Sequence, residues 1–144
     1  MHFVTGGAFN GKSKWVKDFY RLEEVQYQWI SAYKGKVNMD TDQNSADIHI
    51  LEGVELWIRG LAKEFNTDEV RTRWKNQLRF WLGWEKEDIH RRVILIGSDI
   101  SKGIVPVEAA DRYWRDVTGW AYQDTAAAAD RIDLIWYGIS QKIK

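Results

Sequence analysis

HFVTGGAFNGKS, residues 2–13, is the stretch that decides the fold. A short apolar run, His2 to Thr5, ends in two glycines. Four residues separate Gly6 from Gly11, and Lys12 and Ser13 follow, so the stretch satisfies G-x-x-x-x-G-K-[ST]. Each part has a physical task. The glycines let the backbone turn tightly and point successive N–H groups inward, toward phosphate oxygens at the positive end of the following helix. Gly6, Gly7, Ala8, Phe9, Asn10, Gly11, Lys12 and Ser13 are therefore the candidate nucleotide-binding residues. Lys12 supplies a point charge for the β and γ phosphates, and the Ser13 hydroxyl is a ligand for Mg²⁺. The plainer reading is an incidental glycine turn. Context argues for phosphate, because an apolar strand precedes the glycines and Trp15, Val16, Phe19 and Tyr20 recur at helical spacing after them.

Outward from this unit, strands alternate with helices. VQYQWISAY (25–33) is rich in aromatic and β-branched residues and reads as a second strand. Lys34 to Ala46 is polar, with Gly, Asn, Asp and Ser, and reads as a loop. DIHILEGV (47–54) is a third strand that runs into a helical VELWIRGLAKEF. Asn66 or Thr67 caps a longer helix whose Val70, Trp74, Leu78, Trp81 and Leu82 form one apolar stripe. RRVILIGSD (91–99) is the strongest strand, continuously apolar from Val93 to Ile96, as expected where helices cover both sheet faces. From Val107 a helix carries Ala110, Trp114, Val117 and Ala121, with the alanines 126–129 extending or following it. RIDLIWYG (131–138) and a short returning strand in SQKIK (140–144) close the chain. The order β-α-β-β-α-α-β-α-β predicts a P-loop NTPase-like, three-layer α/β/α fold with a mainly parallel sheet.

The 144 residues suit a single domain, and the 21 basic and 21 acidic residues cancel, so no overall basic field draws in nucleic acid or an anionic membrane. There is no cysteine, which removes disulfides and thiolate metal sites. No apolar run approaches the ~20 residues of a membrane span, and nothing resembles a signal peptide, so the expected location is cytoplasmic. Nine tryptophans are a heavy load for this length. Most are expected in the cores of amphipathic helices, and some in a subunit interface or a platform for a flat ligand.

In open α/β sheets ligands bind outside the carboxyl ends of the strands. The third strand ends at Glu52 and the fourth at Ser98 and Asp99. Lys12, Glu52 and Asp99 are the candidate catalytic residues, and Ser13 and Glu52 the candidate metal ligands. Either carboxylate suits Mg²⁺ or the orientation of an attacking hydroxyl. Capping or loop chemistry is the plainer role for each.

VTGGAFNGKS (4–13), ILEGVELWIRGL (50–61) and the final third of the chain together resemble the CobU/CobP family of cobalamin biosynthesis. In the final third, Gly103-Ile104-Val105-Pro106, Arg115-Asp116, Gly119, Gln123, Ala129-Asp130, Gly138 and Lys142-Ile143-Lys144 fall in the family's order and spacing. The resemblance implies a P-loop fold, a trimer, and phosphoryl transfer from ATP or GTP to the aminopropanol hydroxyl of adenosylcobinamide. Guanylyl transfer from GTP through a guanylylated histidine then follows. It places Glu52 at the family's strand-end glutamate and Asp99 where the family usually has glutamate. The implied partners are a corrinoid substrate and a nucleoside triphosphate.

Some residues depart from the family. The segment that carries its histidine is shortened, and residues 34–46 contain no histidine. Of the three histidines in the chain, His2 and His90 precede strands at the amino end of the sheet. His49 lies three residues before Glu52, about 10 Å below the rim at ~3.3 Å per residue. Tyr122 stands where the family usually has Asn, and Phe9-Asn10 where it commonly has Arg-Ser. The leading expectation is an adenosylcobinamide kinase without the guanylyl step. The alternatives are a bifunctional kinase/guanylyltransferase with another acceptor, and a nucleotide-binding relative without turnover.

Overall fold

The computed structural model describes residues 1–35 and 46–144. Most of the loop expected over Lys34 to Ala46 therefore lies outside the described residues. The elements are β1 (His2–Gly6), α1 (Lys12–Phe19), β2 (Tyr27–Ser31), a 3-10 turn (Ala32–Lys34), β3 (Ile48–Glu52), α2 (Val54–Ala62), α3 (Thr67–Lys86), β4 (Arg92–Ser98), α4 (Ala109–Ala128), β5 (Arg131–Trp136) and β6 (Ile139–Lys142). They form one six-stranded sheet in the order β2-β3-β4-β1-β5-β6. All pairings are parallel except β5 with β6. This is the P-loop NTPase-like three-layer arrangement.

Side chains alternate across the sheet and build one core on each face. Val4, Ile50, Ile94, Ile96 and Ile135 pack with Val16 of α1 and with Leu22. Phe3, Leu51, Val93 and Leu95 face the opposite way, toward α2, α3 and α4. The unbroken apolar run of β4 is thus explained by helices on both sides.

α3 begins with a reciprocal capping box: the Asn66 side chain accepts from the Glu69 amide, and the Glu69 carboxylate accepts from the Asn66 amide. Val70, Trp74, Leu78 and Trp81 are buried as their spacing predicts. The stripe ends in the buried Trp84, while Leu82 is only partly buried. Trp84 stacks on His49, ring centroids 4.0 Å apart and planes 13° from parallel. The Trp74 indole N–H donates to Thr125 Oγ1 (2.9 Å), which joins α3 to α4. The alanine run is the last turn of α4, and Trp57, Trp74, Trp81 and Trp84 are core residues, whereas Trp120 and Trp136 are exposed.

The chain moves outward from β1 to the β2 edge, returns through β3 and β4, then passes over to β5. The chain leaves β1 toward α1 on one face, and it leaves the adjacent β4 toward α4 on the other. A crevice opens where the two connections part, at the carboxyl ends of β1 and β4.

Trp74→Ala removes a fully buried indole and one of the two hydrogen bonds of Thr125 Oγ1, which still donates to the Ala121 carbonyl. We expect a loss of about 3–5 kcal/mol in urea-unfolding free energy, whereas Trp120→Ala, at a half-exposed ring with the Arg71 guanidinium over it, costs about 1 kcal/mol.

Candidate functional site

The residues 6–13 wrap the carboxyl end of β1. Gly6 has φ +146° and lies so close to β5 that a Cβ there would sit 2.2 Å from the Ile135 carbonyl oxygen. Phe9, at φ 58°, projects fully into solvent. The turn between β5 and β6 braces the loop from outside: the Gly138 amide donates to the Asn10 carbonyl (2.9 Å), and the Tyr137 amide to Asn10 Oδ1 (3.3 Å).

Lys12 is buried and folds back on the loop, its ammonium donating to the carbonyls of Gly7 (2.7 Å) and Gly6 (3.2 Å). Burial pulls its pKa below the ordinary lysine value, against the opposing charges of Glu55, Glu52 and Asp99.

Glu52 projects from β3 on the same side as Ile50, toward α1, and there Ser13 in the first helical turn meets it. Ser13 Oγ donates to Glu52 Oε1 (2.5 Å), and Trp29 Nε1 to Oε2 (3.0 Å). Burial pushes the Glu52 carboxyl up, but the hydrogen bonds from Ser13, Ser31 and Trp29, with the Lys34 charge, outweigh it and hold the pKa below the usual range. An ionised carboxylate beside a hydroxyl is a hard-oxygen pair that suits Mg²⁺. That ion takes one or two protein oxygens and completes its shell with water and phosphate, so a separate protein cage is not required.

Asp99 touches the loop through its backbone, its amide donating to the Gly6 carbonyl (2.9 Å), the same oxygen that Lys12 reaches. Its carboxylate accepts from the amide (2.9 Å) and hydroxyl (2.5 Å) of Ser101 and lies 3.6 Å from Lys102. Burial acts to raise its pKa, and these partners lower it overall. Asp99 therefore adjoins the phosphate loop while its carboxylate is also held as a turn-stabilising group.

Glu55 and Tyr33, neither of them a candidate from the sequence, complete the pocket, a cavity of about 670 Å³ also lined by residues 8–14, Glu52, Ile100 and Trp114. Glu55, in the first turn of α2, is a carboxylate only 3% exposed. Its oxygens accept from the Tyr33 hydroxyl, the Ser98 amide (2.9 Å) and the Tyr122 hydroxyl (3.3 Å). Tyr122 also donates to the Ser98 carbonyl (2.9 Å). This arrangement accounts for Tyr122 in place of the family's Asn. The ring lies over Gly97, where a Cβ would be 2.3 Å from the Tyr122 hydroxyl. An acidic residue in a first helical turn, two positions after Gly53 and three after Glu52, carries no distinctive sequence signal. The signal in Glu55 is its burial, which appears only in the folded chain.

None of the three histidines enters this pocket. His49 is 1% exposed against Trp84, and His90 lies on the exposed turn before β4. His2 is buried at the amino end of β1, with Tyr20 at Nδ1 (2.7 Å) and Asp133 at Nε2 (2.8 Å). Burial lowers its pKa to about 4 despite Asp133, whose charge is shared with the Arg131 guanidinium at 2.5 Å. The neutral ring donates from Nε2 to Asp133 and accepts the Tyr20 hydroxyl proton at Nδ1.

The family pattern described as cobinamide kinase / cobinamide phosphate guanyltransferase matches residues 21–143. The chain belongs to this family. The bifunctional adenosylcobalamin biosynthesis protein CobU of Escherichia coli K12 is 28% identical over 111 residues, covering 72% of this chain and 61% of that protein. The protein of the same description from Salmonella typhimurium LT2 is 42% identical over 53 residues, 37% of this chain and 29% of its own length. The chain thus spans less than two thirds of the curated CobU proteins it matches. The phosphate-loop motif precedes the segment matched by the CobU pattern, so its reading rests on its own geometry. Among the described residues, no helix is long and apolar enough to cross a membrane.

Two outcomes follow from this geometry. The folded-state pKa of His2 lies below the ordinary 6.5, so the unfolded chain binds the extra proton between about pH 6.5 and 4, and stability falls as pH drops through that window. Urea unfolding should register about 2 kcal/mol of this loss by pH 5, and His2→Gln should flatten the profile. Gly97→Ala should cost about 1–3 kcal/mol through the clash with Tyr122, read in the same assay.

Proposed function

We propose that this chain binds a purine nucleoside triphosphate with Mg²⁺ on Gly6–Ser13 and transfers the γ-phosphoryl group to an alcohol, the aminopropanol hydroxyl of adenosylcobinamide. The observation that carries this reading is the joint position of three groups: the Lys12 ammonium on the Gly6 and Gly7 carbonyls, the Ser13 hydroxyl on Glu52, and the Asp99 amide on Gly6. Membership of the cobinamide kinase family supplies the acceptor.

In this reading the loop amides and Lys12 hold the β and γ phosphates. Ser13 and Glu52 would hold the metal, which would supply charge neutralisation at the phosphate oxygens. Lys12 gives up two carbonyl partners for phosphate oxygens, a short movement within the same loop. Asp99 orients the acceptor hydroxyl and takes its proton as the hydroxyl oxygen bonds to the γ-phosphorus and the bond to the bridging oxygen breaks. The nucleoside diphosphate leaves. Residues 1–144 act as one nucleotide-binding unit in this proposal, and assembly as a trimer follows from the family resemblance.

Calorimetry of the protein with MgATP and MgGTP, paired with transfer of γ-labelled phosphate to adenosylcobinamide, tests the reading. Saturable uptake and label in the corrinoid are expected, with Lys12→Ala lowering the transfer rate by about 100-fold or more at an unchanged circular-dichroism spectrum. Absence of triphosphate uptake by the wild-type protein overturns the proposal.

A further inference from the structure

The phosphate site leaves a second cavity without a task. It has a volume of about 320 Å³ and lies on the α4 side of the sheet, between Phe3 and Thr5 of β1, Ile132 of β5 and the face of α4 that carries Thr118 and Tyr122. The Phe3 and Tyr122 rings meet edge to face in its wall, centroids 5.0 Å apart. Two hydroxyl groups interrupt this apolar lining. Thr118 is 2% exposed, and neither its Oγ1 nor the buried Oγ1 of Thr5 has a hydrogen-bond partner among the described residues. By contrast Thr125, further along the same helix, bonds both the Trp74 indole and the Ala121 carbonyl. A buried hydroxyl without a partner destabilises the fold, so two of them on one cavity point to a polar group that arrives from outside.

The cavity adjoins the phosphate pocket at one segment. Asp99 and Ile100, directly after β4, line it, and Ile100 lines the phosphate pocket as well. The Asp99 amide reaches the Gly6 carbonyl on which Lys12 rests, so the carboxylate assigned to the acceptor hydroxyl stands between the two cavities. Arg115 holds this segment from α4, donating to the carbonyls of Ser101 and Ile104. Arg115, Gly119 and Gln123 line the cavity at four-residue spacing, so one face of α4 is turned to it. An acceptor with its hydroxyl at Asp99 therefore has this cavity beside it. The lining selects a neutral group. Its two charged residues are already engaged, Arg115 by carbonyls and Asp99 by Ser101 and Lys102, and a charge placed among the apolar side chains would lose its hydration without gaining a counterion. A hydroxyl both donates and accepts, so two of them suit a carboxamide, which offers a carbonyl oxygen and two N–H donors.

We propose that Thr5 and Thr118 form a recognition subsite for a carboxamide on a short aliphatic stem of the acceptor. The stem lies against Phe3, Ile132 and Tyr122, and the amide bonds the two hydroxyls. This rests on the proposal that the chain receives adenosylcobinamide, whose corrin ring carries carboxamide arms besides the alcohol. Thr5 and Thr118 touch no reacting atom, and their role is specificity. Because neither hydroxyl has a partner to give up within the fold, both hydrogen bonds are gained in full when the arm enters. An acceptor without the amide leaves both hydroxyls buried and unpaired, which discriminates against it.

The test follows the threonine methyl groups of the whole, methyl-labelled chain by NMR, with corrinoid and MgATP uptake measured by calorimetry. Adenosylcobinamide should shift the Thr5 and Thr118 signals and leave Thr67 and Thr72 in place. Dicyanocobinamide, which keeps the amides and lacks the adenosyl group, should do the same, whereas MgATP alone should leave Thr118 unmoved. Thr5→Val and Thr118→Val should each weaken adenosylcobinamide uptake about fivefold or more. MgATP uptake should be unaffected, and the urea midpoint unchanged or raised, because neither substitution removes a bond made within the fold. If a variant fails to fold, the wild-type methyl spectra decide. Corrinoid uptake that leaves Thr118 unmoved, or unaltered affinity in both valine variants, overturns this inference and leaves the kinase reading standing. A Thr118 shift with MgATP alone, or with adenosylcobinamide but not dicyanocobinamide, assigns the cavity to a nucleoside and also overturns it. Corrinoid uptake with the expected shifts but no phosphoryl transfer supports the subsite and overturns the kinase reading. Absence of corrinoid uptake overturns both.

Discussion

The Gly6 carbonyl is the point on which the pocket depends. It receives the Asp99 amide and the Lys12 ammonium, and the Gly6 Cα lies against the β5 backbone with no room for a side chain. One peptide unit therefore joins β1, the β4 connection and the first residue of α1. The parallel register makes this possible, because Gly6 pairs with Ser98 at matching strand ends. Any displacement of β1 along its neighbours would move the lysine, the carboxylate at 99 and the loop amides together.

Charge is the second constraint. The Lys12 ammonium faces Glu55, Glu52 and Asp99, while Lys34 lies near Glu52 and Lys102 near Asp99, so acidic and basic side chains are interleaved around the pocket. Ser13, Ser31, Trp29 and Lys34 keep Glu52 ionised against the effect of burial. Glu55 is held by neutral donors, the hydroxyls of Tyr33 and Tyr122 and the amide of Ser98, and among the described residues it forms no ion pair.

The same carboxylate links parts of the chain that are far apart in sequence. Tyr33 follows β2, Ser98 ends β4, and Tyr122 lies midway along α4. Tyr122 needs the small residue at 97 for its ring to pass, so the identities at 55, 97 and 122 are mutually dependent. Tyr122 thus has a structural partner in Glu55.

The sequence by itself determined the order of elements, the central position implied by the apolar run of β4, the capping at Asn66 and the phosphate-loop motif. Those features are local: periodicity, turn chemistry and caps are decided by residues within a few positions of one another. It also located Glu52 and Asp99, because a carboxylate at a strand end lies on the ligand-binding rim of a parallel sheet. Tertiary structure alone decided that Trp84 ends the α3 stripe against His49, that Asp99 shares an oxygen with Lys12, and that Glu55 is buried beneath Tyr33. Each of these depends on which strands become neighbours and on how helices settle across them. A buried charge is recognisable only once the elements that exclude water from it, and the donors that satisfy it, have been brought together from distant parts of the chain.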